Sequence, residues 1–401
     1  MKTRLLIALF VTFLKFTFAQ VRWETSLTSG WRFHRGASPD AYRTDFRDKS
    51  WQTVTVPHDW AIYGPFDKEV DKQVVAIEQN GEKVPTEKTG RTGALPHVGE
   101  AWYRNTFNLP GFGKGKRVII LFEGAMSEPK VYINGQKAGE WNYGYSYFYF
   151  DITKLVVEGK ANSIAVHLNN KDLSSRWYPG AGLYRNVRLI VKNEESIDQW
   201  GTNITTPYIS ADLAKVNIKT KVSGSDLRLK TYIVDAAGDT VASAETQTLF
   251  GNEFGQDIAL RHPKLWSPET PYLYRAVSRL YQGEVLRDEI TTRFGIRGIS
   301  YKPGEGFSLN GKTRKFKGVC LHHDLGPLGS AVNIAALRRQ LRILKDMGCD
   351  AIRSSHNMPS FEQLELCDEM GFMFLAEPFD EWAKPKVENG YNRFFHTDAE
   401  K

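Results

Sequence analysis

Cysteine is scarce in this chain: three among 401 residues, namely Cys320, Cys349 and Cys367. An odd number confined to residues 320–367 argues against a disulfide framework, and the spacings match no zinc pattern, so buried free thiols are expected. An excess of charge of one sign is also lacking. The formal net charge is +7, and removing Lys2, Arg4 and Lys15 of the leader discussed below leaves +4, spread rather than clustered. A nucleic-acid binder would carry a basic stripe, so no nucleic-acid partner is expected. After residue 19 there is no apolar run near the 20 or so residues that cross a bilayer, hence no transmembrane segment. Gly-x-Ser-x-Gly, Gly-x-Gly-x-x-Gly and Gly-x-x-x-x-Gly-Lys-Ser/Thr are all absent, which removes the usual serine hydrolase, dinucleotide and P-loop readings. Neither an internal repeat nor a low-complexity tract is present.

The chain opens as a secretory signal, residues 1–19. Lys2 and Arg4 form a charged start, Leu5 to Phe18 an apolar stretch, and Thr17-Phe18-Ala19 a small-residue cleavage site. A secreted or periplasmic location follows as an expectation. With 41% hydrophobic residues, the remainder can bury a sizeable core in two or three domains.

Residues 20–192 read as short strands punctuated by Gly, Pro and Asn, among them Arg117–Phe122, Lys130–Ile133 and Ser163–Leu168. Asn134-Gly135 marks a tight hairpin, and Asp67 to Gly99 a long polar surface loop. Many short strands imply a β-sandwich of jelly-roll type. Aromatics crowd this region: Trp51, Trp60, Trp102, Tyr103, Trp141, Tyr143, Tyr145, Tyr147, Trp177 and Tyr178. Such rings suit the apolar faces of sugars, although core packing is the commoner role of a Trp in a sandwich. A polar turn at Lys192-Asn193-Glu194-Glu195 marks a boundary. Residues 193–294 then alternate as about 100 residues of strand, with Asp235 to Asp239 as a hairpin turn, which fits an immunoglobulin-like sandwich without chemistry of its own.

From 295 to 401 the pattern changes to strands alternating with helices. Lys317–Leu321 is closed by His322-His323-Asp324. A helix follows with Ile334, Leu337, Leu341 and Leu344 on one face, Asn333 at its cap and Gly348 past its end. Asp350 to Arg353 runs into Ser354-Ser355-His356-Asn357. Ser360 and Gln363 open a second helix stopped by Gly371, and Phe372–Ala376 leads to Glu377 and Asp380-Glu381-Trp382. Alternating units of this kind build a (β/α)8 barrel, whose chemistry sits at the C-terminal strand ends. Those ends carry His322, Arg353, His356 and Glu377. Only 86 residues follow Lys315, whereas a closed barrel takes about 250, so three units are expected.

The ring of strand ends admits several readings. His322, His323 and His356 with Glu377, Asp380 or Glu381 are metal-ligand types, but neutral imidazoles bonding to substrate hydroxyls suit them better. Arg353 and Glu377 read either as part of that shell or as a buried pair bracing adjacent strands.

Several stretches in order then resemble glycoside hydrolase family 2, in its exported β-galactosidase-like members. They are Gly30 to Phe33, Val56-Pro57-His58-Asp59-Trp60, Trp102-Tyr103-Arg104, Phe122-Glu123-Gly124 and Gly182-Leu183-Tyr184-Arg185-Asn186-Val187. Leu265 to Tyr274, Phe294 to Arg297, Lys317 to Asp324, Arg353 to Asn357 and Phe379 to Trp382 complete the set. The resemblance implies a sugar-binding jelly roll, an immunoglobulin-like sandwich and the start of a TIM barrel. It implies retaining hydrolysis of a terminal β-linked sugar by two carboxyl groups about 5–5.5 Å apart. β-Glucuronidase, β-mannosidase and a non-catalytic carbohydrate binder are the alternatives.

In the family the acid/base Glu follows strand four in an Asn-Glu pair, and the nucleophile follows strand seven. Asn193-Glu194 and Asn252-Glu253 lie in the wrong place, so no catalytic Glu is expected within these residues, and the 401-residue chain is expected to be inert by itself. Substrate contacts implied by the match are His322 and His356, with Arg353 beside them, Asp380 and Glu381 in the loop after strand three, and Asp172 as a first-domain acid. Glu381 matches a magnesium position of some members, but Ala383 replaces the usual His, so neither metal nor cofactor is expected.

Overall fold

The computed structural model describes residues 21–399 apart from 71, 77–80, 89, 110, 249 and 250; the expected leader lies outside the described residues. Among the described residues no helix is long and apolar enough to cross a membrane.

The first domain is two facing sheets. One orders its strands as Arg22–Ser26, Val187–Asn193, Lys116–Phe122 and Phe148–Asp151. The other runs Gln52–Val54, Trp31–Arg35, Gly99–Asn108, Ala161–Asn170, Lys130–Ile133 and Gln136–Glu140. Alternation drives the packing: Val118, Ile120 and Phe122 of one sheet meet Tyr103, Ile164, Val166 and Leu168 of the other in a single core around Trp31. The hairpin at Asn134-Gly135 forms as expected, with both residues at positive φ, +49° and +79°. The expected loop from Asp67 to Gly99 is partly structured. Gln73–Val75 pairs with Thr86–Lys88, a short ladder flanked by the ion pairs Lys72–Glu87 and Lys88–Glu82.

The second domain stacks Ser196–Ile209, Leu213–Ser223 and Glu253–Arg261 on a sheet ordered Thr240–Thr248, Leu227–Val234, Tyr274–Gln282 and Val285–Phe294. Glu253–Arg261 alternates exposed and buried residues without a break, the signature of a sheet with one wet face. Its turn at Asp235 is held by the carboxylate, which accepts from the amides of Ala237, Gly238 and Asp239.

A small antiparallel sheet of Ile299–Lys302, Gly306–Leu309 and Lys312–Thr313 leads into the third domain. There Gly318–Leu321, Ala351–Ser354 and Met373–Leu375 form a parallel sheet in chain order. Helix α1 (Ile334–Asp346) and helix α2 (Phe361–Met370) cross between them; a short helix α3 (Asn392–Asp398) follows and has no counterpart in the sequence reading. Asn333 caps α1 by accepting from Ala336 N, and Ser360 caps α2 by accepting from Gln363 N. The third strand is shorter than Phe372–Ala376. Gly371 turns left-handed at φ +75° to end α2, and Phe372 N bonds back to Cys367 O, which keeps Phe372 in the cap rather than the ladder. All three cysteines are free; Cys367 is buried as expected, but Cys320 is exposed, beside Arg353.

Candidate functional site

Parallel strands end together, so Leu321 and Ser354, which are register partners, bring His322 and His356 side by side. Their rings stand 6.0 Å apart, edge to face. Trp177, from the first domain, stacks on His322 at 5.0 Å and 20° and meets His356 edge-on at 5.7 Å. His356 Nδ1 lies 2.9 Å from Glu377 Oε1. A proton on Nδ1 donated to Glu377 leaves Nε2 as the acceptor of that ring. Burial lowers the His322 pKa below its ordinary value, so its imidazole is held neutral.

Arg353 and Glu377 form an ion pair across neighbouring strands. The pair does brace the sheet, but with side chains 38% and 26% exposed it is not buried. Arg353 also donates to Cys320 Sγ and Ser355 Oγ, each at 3.4 Å. The Cys320 thiol is pulled below its ordinary pKa, chiefly by the Arg353 bond.

The two acids after the third strand are engaged differently. Asp380 accepts from Arg176 Nε at 2.9 Å and from Lys386 Nζ at 2.9 Å. Burial alone would raise its pKa, but the bonds from Arg176 and Lys386 outweigh it and hold the carboxyl below the usual range. Glu381 is buried, and its Oε1 accepts from the amides of Lys386 and Val387, both at 2.8 Å. Its carboxylate organises its own loop, and a Cβ on Gly390 would lie 1.7 Å from its Oε2. A magnesium ion would need those lone pairs free and further oxygen ligands beside them. Among the described residues no three or more His, Cys, Asp or Glu side chains converge as a metal site. The residues present therefore do not fit the ion at Glu381.

Asp172 stands apart: it is exposed, and its backbone carbonyl rather than its carboxylate accepts from Asn389 Nδ2, at 3.1 Å. Four residues later the sequence reading missed Arg176 as a mouth residue, and it singled out Trp177 only as one aromatic among ten. No feature of the flanking residues marks either of them.

His323 is no part of the mouth. Its Nε2 donates to Pro179 O of the first domain at 3.1 Å and its Nδ1 accepts from Asn357 Nδ2 of the next barrel loop at 3.1 Å, so both nitrogens are used, one across the domain seam and one within the barrel. Burial pushes its pKa down to about 3, which keeps it neutral. Asp59, also buried, accepts from the Tyr178 hydroxyl at 2.6 and 2.7 Å and from Ser330 N and Oγ, both at 2.8 Å. The loop carrying Trp177 is thus tied to the loop after the first barrel strand. Gly180 allows that approach, since a Cβ there would lie 2.1 Å from Ser330 Oγ. Arg185, fully buried, donates to Tyr145 O at 2.9 Å and Met358 O at 2.7 Å and so anchors the loop bearing His356.

Comparison with known proteins agrees with this architecture. Three profiles match in succession: "Glycosyl hydrolases family 2, sugar binding domain" over residues 25–193, "Glycosyl hydrolases family 2" over 196–297, and "Glycosyl hydrolases family 2, TIM barrel domain" over 302–391. The chain belongs to glycoside hydrolase family 2. It is 38% identical over 385 residues to the β-galactosidase BoGH2A of Bacteroides ovatus, covering 94% of this chain and 43% of that protein. A β-glucuronidase of Bacteroides fragilis is 29% identical over 289 residues, covering 66% of this chain and 41% of that protein. The crystal structure of a family 2 member from Bacteroides cellulosilyticus superposes with a TM-score of 0.85 at 34% identity, covering 93% of this chain and 48% of that one. The chain therefore spans less than half the length of each of these relatives.

Proposed function

We propose that the mouth formed by Trp177, His322, His356, Arg353 and Glu377 cradles the terminal sugar of a β-galactoside, in a glycosidase of the retaining type. The convergence of Trp177 with two histidines at barrel strand ends carries the reading. An indole offers an apolar face to a sugar ring, and neutral imidazoles can donate to or accept from its hydroxyls. The two carboxyl groups of a retaining mechanism, one acid/base and one nucleophile about 5–5.5 Å apart, are assigned to barrel strands that these 401 residues do not include. Asp380 and Glu381 are then positioning residues: Asp380 holds Arg176 at the rim, and Glu381 shapes the loop behind it. Asp172 is given a place at the outer edge, where a longer saccharide passes. The N-terminal leader is proposed to direct export.

A neutral sugar is favoured over a uronic acid by the charge pattern. A uronate carboxylate needs an available cation, and both guanidinium groups at the mouth are engaged, Arg176 by Asp380 and Arg353 by Glu377. The test is calorimetric titration of the purified chain with galactose-terminated oligosaccharide and, in parallel, with glucuronic acid. Heat with the first alone is expected, together with no release of nitrophenol from a nitrophenyl β-galactoside above a heat-killed control. Binding of the uronate alone overturns the sugar assignment, and turnover overturns the assignment of the catalytic carboxyls.

A further inference from the structure

Two carboxyl groups from different domains meet inside the seam, away from the mouth. Glu123, just past the strand Lys116–Phe122, is 1% exposed, and Glu362, in the first turn of α2, is 7% exposed. One amide group serves both: Asn186 Nδ2 lies 3.0 Å from Glu123 Oε2 and 2.6 Å from Glu362 Oε1. The second oxygen of Glu123 accepts from Arg188 Nε at 2.5 Å. The second oxygen of Glu362 is buried and has no donor among the described residues.

The surrounding charges do not balance if every acid is ionised. From the first domain come Arg185, Arg188 and Glu24, the last paired with Arg188 at 3.1 Å. Tyr147 faces both acids, but its hydroxyl donates to Pro359 O at 3.1 Å. Among the described residues the second domain contributes only neutral Gln199 and Trp200 to the adjoining cleft, α1 contributes Ile334, and Glu365, one turn along α2, is exposed. Two guanidinium groups thus stand against the three carboxyls Glu24, Glu123 and Glu362. One proton evens the tally and gives the orphaned oxygen of Glu362 a bond to make.

We propose that Glu123 and Glu362 share one proton across the seam, so that the first domain and the barrel are joined by a proton-linked latch. Protonated Glu362 donates its O–H to the Glu123 carboxylate; on deprotonation the proton leaves to solvent and two buried like charges remain. Burial first, and the Glu123 charge next, raise the Glu362 pKa against the pull of Arg185. A pKa raised on folding adds stability that is fully present below the unfolded value, about 4.3 for Glu. That stability is lost as pH climbs through the folded value. The latch is therefore tighter in mild acid, whatever the mouth binds.

The direct test follows glutamate carboxyl carbons by NMR in the whole chain labelled with carbon-13. One carboxyl is expected to titrate above the rest, and its signal to vanish in E362Q. Calorimetry supplies the energetics. The amide introduced by E362Q would donate where the acid O–H did. The variant is therefore expected to match the parent at pH 5 and to exceed its Tm by about 2–4 °C at pH 8. E365Q, at the exposed neighbour, should show no such pH-dependent difference. If every glutamate titrates in the ordinary range, or if E362Q runs at a constant offset from the parent at all pH values, the latch is overturned.

Discussion

At Trp177 and His322 an indole and an imidazole stack face to face, and that contact joins two domains. Loss of the indole would remove both the platform proposed for a sugar and the lateral support of His322. Trp177→Ala is expected to weaken galactoside binding at least about tenfold, equivalent to about 1.4 kcal/mol, by isothermal titration. An unchanged affinity would place the sugar elsewhere. His323 yields a prediction of a different kind. Its folded pKa is depressed to about 3 from the ordinary 6.5, so it contributes stability above pH 6.5 that is lost progressively as pH falls toward 3. His323→Gln, which keeps a donor and an acceptor without a titrating ring, is expected to flatten this acid loss in calorimetric scans. Because this slope is opposite to that of Glu362, only comparison of each variant with the parent separates the two.

Helix α2 owes its limits to two residues with distinct physics. Ser360 satisfies one of the amides left open at the helix start, and Ser360→Ala should cost about 1 kcal/mol. Gly371 is constrained twice: its left-handed backbone disfavours any Cβ by about 1–2 kcal/mol, and that Cβ would lie 2.3 Å from Pro268 O of the second domain. Gly371→Ala is therefore expected to be the more damaging substitution in denaturant unfolding. It should also loosen the contact made where Lys345 Nζ donates to both Pro268 O and Gly371 O at 2.9 Å. Equal losses from the two variants would mean that the domain contact yields freely.

At the scale of the molecule, the three-stranded parallel sheet is the open part. Its outer strand, Met373–Leu375, pairs on one side only among the described residues. Leu375, Phe316, Tyr301 and Ile299 are exposed along a groove of about 540 Å³. Unpaired edges and apolar patches invite association. The chain is expected to self-associate with rising concentration in sedimentation experiments, and Leu375→Lys to reduce this. Limited proteolysis should cut after Lys302 before it cuts either sandwich; equal resistance along the chain would contradict the picture.

Local order was legible from the residues alone. Alternation in Glu253–Arg261, the Asn134-Gly135 turn, and the caps at Asn333 and Ser360 are short-range rules, each satisfied within a few residues. The clustering of His322, Arg353, His356 and Glu377 at strand ends followed from the same regularity, because parallel βα units must end on one side. What lay beyond the sequence was every contact made across domains. Nothing near Trp177 marks it as the partner of His322. Nothing near Asp59, His323 or Arg185 distinguishes a seam-binding group from a site group, and Glu381 gave no sign that its carboxylate would bond to the amides of its own loop. Those outcomes depend on which loops meet when three cores pack together, and that is settled by the summed burial of all three domains, not by any stretch of chain.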